Sequence, residues 1–311
     1  MSMYKYTIAF ALPNFRMTVD KVEFEKGVVI RKLQPQEVEL LQKDRISKIR
    51  MRTLQIAYEH ALEITSTDSK YAGFDVFFKQ KGTLEALRLF KEGHVFIDLP
   101  IPAVRQTLKG AVKNAFDSFF ISMSSFQPGM YKVEKPNYLL EKSEIESLTK
   151  LYNIMKERKL PSDLTIAKTW FNEALETPDS LECLTKHIIA LEAMFLEGGS
   201  ELTYRLSNLV ASFVGKTTVD RLSIKHWIKE FYKMRSNIIH GGKMSYIIEW
   251  KYMSKLEKYV RTSLVKMIAL RHNCKKGKLL QLIEKSIFDD TQRRKFEEEV
   301  AEFYGFQFGA L

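Results

Sequence analysis

Only two cysteines, Cys183 and Cys274, occur in 311 residues, and they form neither a CxxC pair nor a secreted disulfide framework. A stapled extracellular scaffold is therefore excluded, and a reducing, cytoplasmic setting is the expectation. Also missing are an HExxH zinc motif, a P-loop and a GxGxxG turn. His60, His94, His187, His226 and His272 are scattered without ligand spacing, and no carboxylate cluster of the kind a metal-dependent nuclease uses stands out. The sequence thus predicts no metal and no cofactor. No apolar run approaches the roughly 18–20 residues that span a bilayer, so no membrane partner is expected. The short apolar stretch Tyr6 to Leu12 is broken by Pro13 and has no small-residue cleavage site, so it reads as a strand rather than a leader. Repeats and low-complexity segments are absent.

What is present is apolar content of 45% with 12% aromatics, ample for real cores in two domains. Residues 1–140 read as a mixed α/β domain. Tyr4 to Leu12 is β-rich, Lys21 to Lys32 reads as two strands around a turn at Lys26-Gly27, and Pro35 opens a helix to about Leu41. Phe74 to Phe78 and His94 to Leu99 look like further strands, with a short helix over Thr83 to Leu89. From residue 141 onward the periodicity is helical: Leu148 to Lys159, a helix capped by Asp163, Leu181 to Leu196 capped by Asp179 or Ser180, Ser200 to Phe213, Ser223 to Ile239, Glu249 to His272, and one or two helices in the tail. The predicted class is α+β, an N-terminal mixed domain followed by an all-α bundle at 141–311.

Charge is unevenly placed. The chain carries a formal +11, yet Arg221 to Lys278 alone holds fifteen Lys or Arg against three Asp or Glu, leaving the remainder close to neutral. Such a segment releases counterions from a phosphate backbone and steers association with polyanions. The competing explanation is a solvated helix face: Met253, Leu256, Val260, Leu264 and Met267 recur at helical spacing, which leaves Lys251, Lys255, Lys258 and Arg261 on other faces.

Inside this basic segment lies Arg235-Ser236-Asn237-Ile238-Ile239-His240-Gly241-Gly242. Arginine is a permanent, forked donor suited to phosphate oxygens, and histidine exchanges a proton near neutral pH. These are the two side chains that metal-free RNA cleavage requires. His240 would act as general base or acid at the ribose 2′-hydroxyl and the leaving 5′-oxygen, and Arg235 would stabilise charge on the phosphorane. The motif ends a helical stripe of Ile224, Trp227, Ile228, Phe231, Met234 and Ile238, with Gly241 and Gly242 offering a left-handed C-cap. A straight helix would set Arg235 and His240 about 140° apart; an unwound helix end, or a second copy across a two-fold axis, removes that objection. Duller roles exist for each: a histidine stabilised by the helix dipole, and an arginine paired with Glu192 across the bundle. Ser236 and Asn237 are supporting candidates, Arg205 a structural one, and His187 a packed core residue.

Leu184 to Leu196 (LTKHIIALEAMFL), Glu201 to Leu209 (ELTYRLSNL) and Phe231 to Lys243 (FYKMRSNIIHGGK) together resemble the Apea-like branch of HEPN domains, closely over Asp179 to Lys243. That resemblance implies an all-α, usually dimeric domain in which paired R-x4-6-H motifs form a metal-independent endoribonuclease, leaving 2′,3′-cyclic phosphates. It implies antiphage defence or a toxin role as biological settings. Catalytic residues would be Arg235 and His240, supported by Ser236, Asn237 and Glu192, with Lys233, Lys243, Lys251, Lys255 and Lys258 gripping RNA. The expected partners are RNA and a second copy of the chain, with a trigger or inhibitor acting on the N-terminal domain. Some HEPN members bind without cutting. Ser236 stands where many members carry Asn, Asp or His, which keeps a non-catalytic RNA-binding or protein-interaction module as the alternative.

Overall fold

The computed structural model describes residues 6–43, 57–66, 72–93, 95–97, 101, 137–157, 159–239, 248–271 and 274–304. Its class is α+β, and the chain divides into two compact units, Met1–Arg158 and Lys159–Leu311.

The first unit is built on an antiparallel sheet of β1 (Tyr6–Pro13), β3 (Lys21–Glu25), β4 (Val28–Lys32) and β5 (Tyr58–Ser66) in the order β1-β5-β4-β3. β2 (Phe15–Met17) pairs in parallel with the short β6 (Tyr138–Leu140). The expected hairpin at Lys26-Gly27 is present: Gly27 adopts φ +83°, and a Cβ there would lie 3.0 Å from the Thr65 carbonyl oxygen. Glycine is therefore required both by the turn and by its closeness to β5. Helix α1 (Pro35–Lys43) begins where Pro35 predicted.

Two expectations for this unit are corrected. Phe74 to Phe78 is helical, part of α2 (Ala72–Phe90), which also absorbs the short helix expected at Thr83 to Leu89. Its aromatics favour strands locally, but packing of α2 on β5 and on α3 (Ile145–Glu157) overrides that preference. The boundary expected at 140/141 lies instead at 158/159. Helix α3 belongs to the sheet unit because it packs on α2 and β3, with the Tyr152 hydroxyl donating to Glu25 at 2.6 Å. Of the strand expected over His94 to Leu99, Val95 to Ile97 is irregular, and the rest lies outside the described residues.

In the second unit every described element is a helix: α4 (Ser162–Glu176), α5 (Ser180–Phe195), α6 (Leu202–Val214), α7 (Thr218–Ile239), α8 (Trp250–Leu270), α9 (Lys276–Phe288) and α10 (Asp290–Tyr304). Helix α5 is central and touches α4, α6, α7 and α8. Accordingly its apolar face is wide, burying Cys183, Leu184, His187, Ile188, Ala190, Leu191, Met194 and Phe195. Asp179 caps it, its carboxylate accepting from the Glu182 amide at 2.7 Å. Asp163, by contrast, is not a cap. It sits inside the first turn of α4 and accepts from Arg271 at 2.6 Å. Helix α7 starts five residues before the expected Ser223, because Thr217 and Asp220 exchange side-chain-to-amide bonds of 3.0 and 3.1 Å in a reciprocal cap.

Helices leave their last carbonyls unpaired, and here basic side chains from later in the chain close them. Lys276 donates to the carbonyls of Ala193 and Leu196 at 2.8 and 2.7 Å, closing α5. At the end of α6, Lys266 donates to Phe213 O at 2.9 Å, while the Arg293 guanidinium binds Ser212 O and, at 2.9 Å, Gly215 O. Helix α8 also buries an Arg261–Glu257 ion pair, each side chain 2% exposed. The expectation that Arg261 faces solvent alongside the lysines is thus overturned.

Arg293→Ala should strand two buried carbonyls and cost about 2–3 kcal/mol, read as a lower urea midpoint at unchanged slope. Burial, with Arg293 and Lys216 nearby and only Glu297 opposing, pushes the Lys266 ammonium down to about 8. The unfolded chain therefore binds more protons between pH 8 and 10.5, and stability rises across that window as the penalty on the buried charge is relieved. The Lys266 contribution should be on the order of 2–3 kcal/mol. Wild type should gain stability from pH 8 to 10 more steeply than Lys266→Met when both are unfolded in urea.

Candidate functional site

Arg235 lies in the penultimate turn of α7, where the stripe that ends in the motif meets α5. Ile224, Ile228, Phe231 and Tyr232 are buried, whereas Trp227, Met234 and Ile238 at the edges of the stripe are half-buried. The guanidinium reaches Glu192 of α5 at 3.5 Å, with the two side chains 23% and 21% exposed, and stands 5.8 Å above the Tyr232 ring. This is the pairing the sequence suggested. Tyr232 completes it from one turn earlier on the same face: burial, and then the hydrogen bond of its hydroxyl with Glu192, push its phenol upward. Glu192 therefore faces two α7 side chains at i and i+3 and forms its ion pair with Arg235. Tyr232 was visible in the motif as the residue three before Arg235, but only the packing of α5 on α7 gives it a role.

The Arg235–Glu192 contact is long and about four-fifths buried. An ion pair of that length holds a guanidinium in place while leaving donor capacity: the Arg235 Nε is buried without a partner among the described residues. Ser236 is half-buried and Asn237 exposed on the last described turn, and Lys233 is exposed beside them. His240, Lys243 and the glycines Gly241 and Gly242 lie outside the described residues, as does the geometry between Arg235 and His240.

Lys251, Lys255 and Lys258 are exposed along α8, while Met253, Leu256, Val260, Leu264 and Met267 on the opposite stripe are buried, as their spacing predicts. The basic segment is not uniformly a surface field, however. Arg261, Lys266, Arg271 and Lys276 are committed to the bundle as ion pairs or helix caps. Solvent-facing charge remains on Lys229 and Lys233 of α7, on Lys251, Lys255 and Lys258 of α8, and on Lys275 and Lys278 at the start of α9. Beside the α8 lysines sit Trp227 and Tyr252, their rings 5.1 Å apart, with Lys255 over the indole and Lys251 over the phenol; aromatic residues interleaved with lysines were not singled out from the sequence.

Arg205 donates to Gly198 O at 2.6 Å, a bond that closes the turn before α6 and matches its structural assignment. His187 is 1% exposed and lies 5.8 Å from the Phe171 ring, a packed residue. Cys183 is buried and Cys274 half-buried. Among the described residues, no helix is long and apolar enough to cross a membrane, and no three His, Cys, Asp or Glu side chains gather as a metal group would.

No family model, curated protein or solved structure matches this chain.

A double-mutant cycle over Glu192→Gln and Arg235→Gln should return a coupling of about 0.5–1 kcal/mol in urea unfolding, the range for a partly exposed contact pair. Strict additivity would show that the contact does not hold Arg235.

Proposed function

We propose that the chain is a HEPN-type, metal-independent endoribonuclease that acts as a homodimer, cutting RNA by attack of the 2′-hydroxyl and leaving a 2′,3′-cyclic phosphate. The observation that carries this reading is a guanidinium at the end of α7 paired with Glu192 and 5.8 Å above the Tyr232 ring, five residues before His240 in a basic segment of the chain. In the proposed reaction His240 removes the proton from the 2′-hydroxyl. The 2′-oxygen then attacks the adjacent phosphorus while the bond to the 5′-oxygen breaks, and that oxygen takes up a proton. In a dimer the imidazole of the second copy would supply it. Arg235 neutralises charge on the non-bridging oxygens, a task for a rigid fork. RNA is required over DNA because the nucleophile is the 2′-hydroxyl. The α/β unit would sense a trigger or restrain the nuclease, in keeping with antiphage defence or a toxin role, and the setting would be cytoplasmic.

A second reading has its own support. Because Arg235 already pairs with Glu192, the same residues fit a bundle that binds RNA or a protein through its basic face and cuts nothing, with Arg235 serving as a strut.

Purified wild type incubated with total tRNA and mixed-sequence RNA in EDTA should leave cyclic phosphate ends, and should leave DNA intact. His240→Ala should lose about 10²- to 10⁴-fold in rate, and Arg235→Ala about 10²- to 10³-fold. A requirement for Mg²⁺, or equal cutting of DNA, would defeat the proposal. Retarded RNA in a gel shift without cleavage by wild type would favour the binding module.

A further inference from the structure

The junction of α7 and α8 carries a second feature. Trp227 and Tyr252 lie with centroids 5.1 Å apart and planes tilted by 38°. Phe231, fully buried, stacks against Trp227 at 5.7 Å, and His226 meets its edge at 5.6 Å. The Lys255 ammonium lies 4.4 Å from the Trp227 centroid and the Lys251 ammonium 4.8 Å from that of Tyr252. Both lysines and His226 are exposed, and both rings are half-buried.

We propose that Trp227 and Tyr252 form a stacking platform for unpaired RNA bases, with Lys255 and Lys251 as cations that leave the rings for the phosphates when a base arrives. The proposal rests on RNA being the ligand, and it extends the site along α7. The rings are pre-oriented, since Phe231 fixes the indole from the core side and so reduces the ordering cost on binding. An exposed lysine resting on a ring contributes only about a two- to fivefold preference. A base stacked on the same ring contributes roughly 5- to 150-fold, and the displaced ammonium gains a phosphate partner, so the exchange favours RNA. Lys251 also pairs with Glu249 at 2.7 Å, which makes Lys255 the principal cation. A protein partner fits less well, because lysine is depleted from the cores of protein interfaces. Trp227, Phe231 and Arg235 follow one another at i, i+4 and i+8, placing the platform about 12 Å along α7 from the guanidinium. A strand with a phosphate at Arg235 therefore reaches the rings within a few nucleotides.

The test uses full-length His240→Ala with a fluorescein-labelled single-stranded RNA of mixed sequence, read by anisotropy and by tryptophan emission. The platform predicts quenching that disappears in Trp227→Phe, and a loss of roughly 5- to 150-fold in affinity for Tyr252→Ala. An abasic strand with intact phosphates should bind the parent at least as weakly as the normal strand binds Tyr252→Ala. Lys255→Met should reduce the salt dependence by about one phosphate contact. Equal affinity for normal and abasic strands, unchanged binding by Tyr252→Ala, quenching by duplex RNA equal to that by single strands, or no binding at all would each overturn the platform. Wild-type cleavage without quenching would reject the platform and leave the nuclease standing. Quenching without cleavage would do the reverse.

Discussion

The carbonyl end of helix α5 is held by one ammonium, that of Lys276, which donates to both Ala193 and Leu196. Glu192 sits at this last turn, and its own carbonyl accepts the Leu196 amide at 2.9 Å. The cap that finishes the helix therefore also fixes the height of the carboxylate. Glu192 in turn meets Tyr232 and Arg235 from α7. A chain of contacts thus runs from a half-buried helix cap to the guanidinium at the candidate site. Because α5 packs against four other helices, small displacements of its end are resisted from several sides. A pre-positioned donor of this kind is what charge stabilisation in a transition state needs.

The same constraint redistributes the positive charge. Closing α6 takes up Lys266 and Arg293, holding the start of α4 takes up Arg271, and the interior of α8 takes up Arg261 against Glu257. What remains for solvent on α8 is a row of Lys251, Lys255 and Lys258 beside the Trp227 and Tyr252 rings. A focused row of this sort suits a single strand whose backbone tracks the lysines and whose bases find flat faces. A broad basic surface would be indifferent to strand conformation.

Periodicity and capping chemistry made most of the helical unit legible. The stripe on α8 and the Asp179 cap follow directly from side-chain spacing, and so does the Lys26-Gly27 hairpin in the sheet unit. Where reading failed, long-range packing had decided. β5 mixes His60 and Glu63 among apolar residues, yet lies in the middle of the sheet between β1 and β4; nothing local marks YEHALEITS as a central strand. Phe74 to Phe78 shows the opposite error, a strand-like composition taken into a helix by its contacts. Asp163 looked like a cap because aspartate near a helix start usually is one, but Arg271, more than a hundred residues later, claims it. At the candidate site the Arg235–Glu192 pairing was readable from charge and helical position. The roles of Tyr232, Trp227 and Tyr252 were not, because they depend on which helices face one another. Likewise, no count of lysines distinguishes Lys266, which caps a helix, from Lys258, which faces water.

In the proposed reaction the Arg235 guanidinium, beside Glu192 and Tyr232, receives the phosphate to be cut. The most direct measurement is a crystal structure of full-length His240→Ala with a single-stranded RNA carrying one 2′-deoxy nucleotide at the cleavage position. A non-bridging phosphate oxygen is expected within hydrogen-bond distance of the Arg235 guanidinium, with Glu192 still in contact with Arg235. A strand bound elsewhere, with Arg235 engaged only by Glu192 and no phosphate near it, would remove the arginine from the reaction and make it a strut of the bundle.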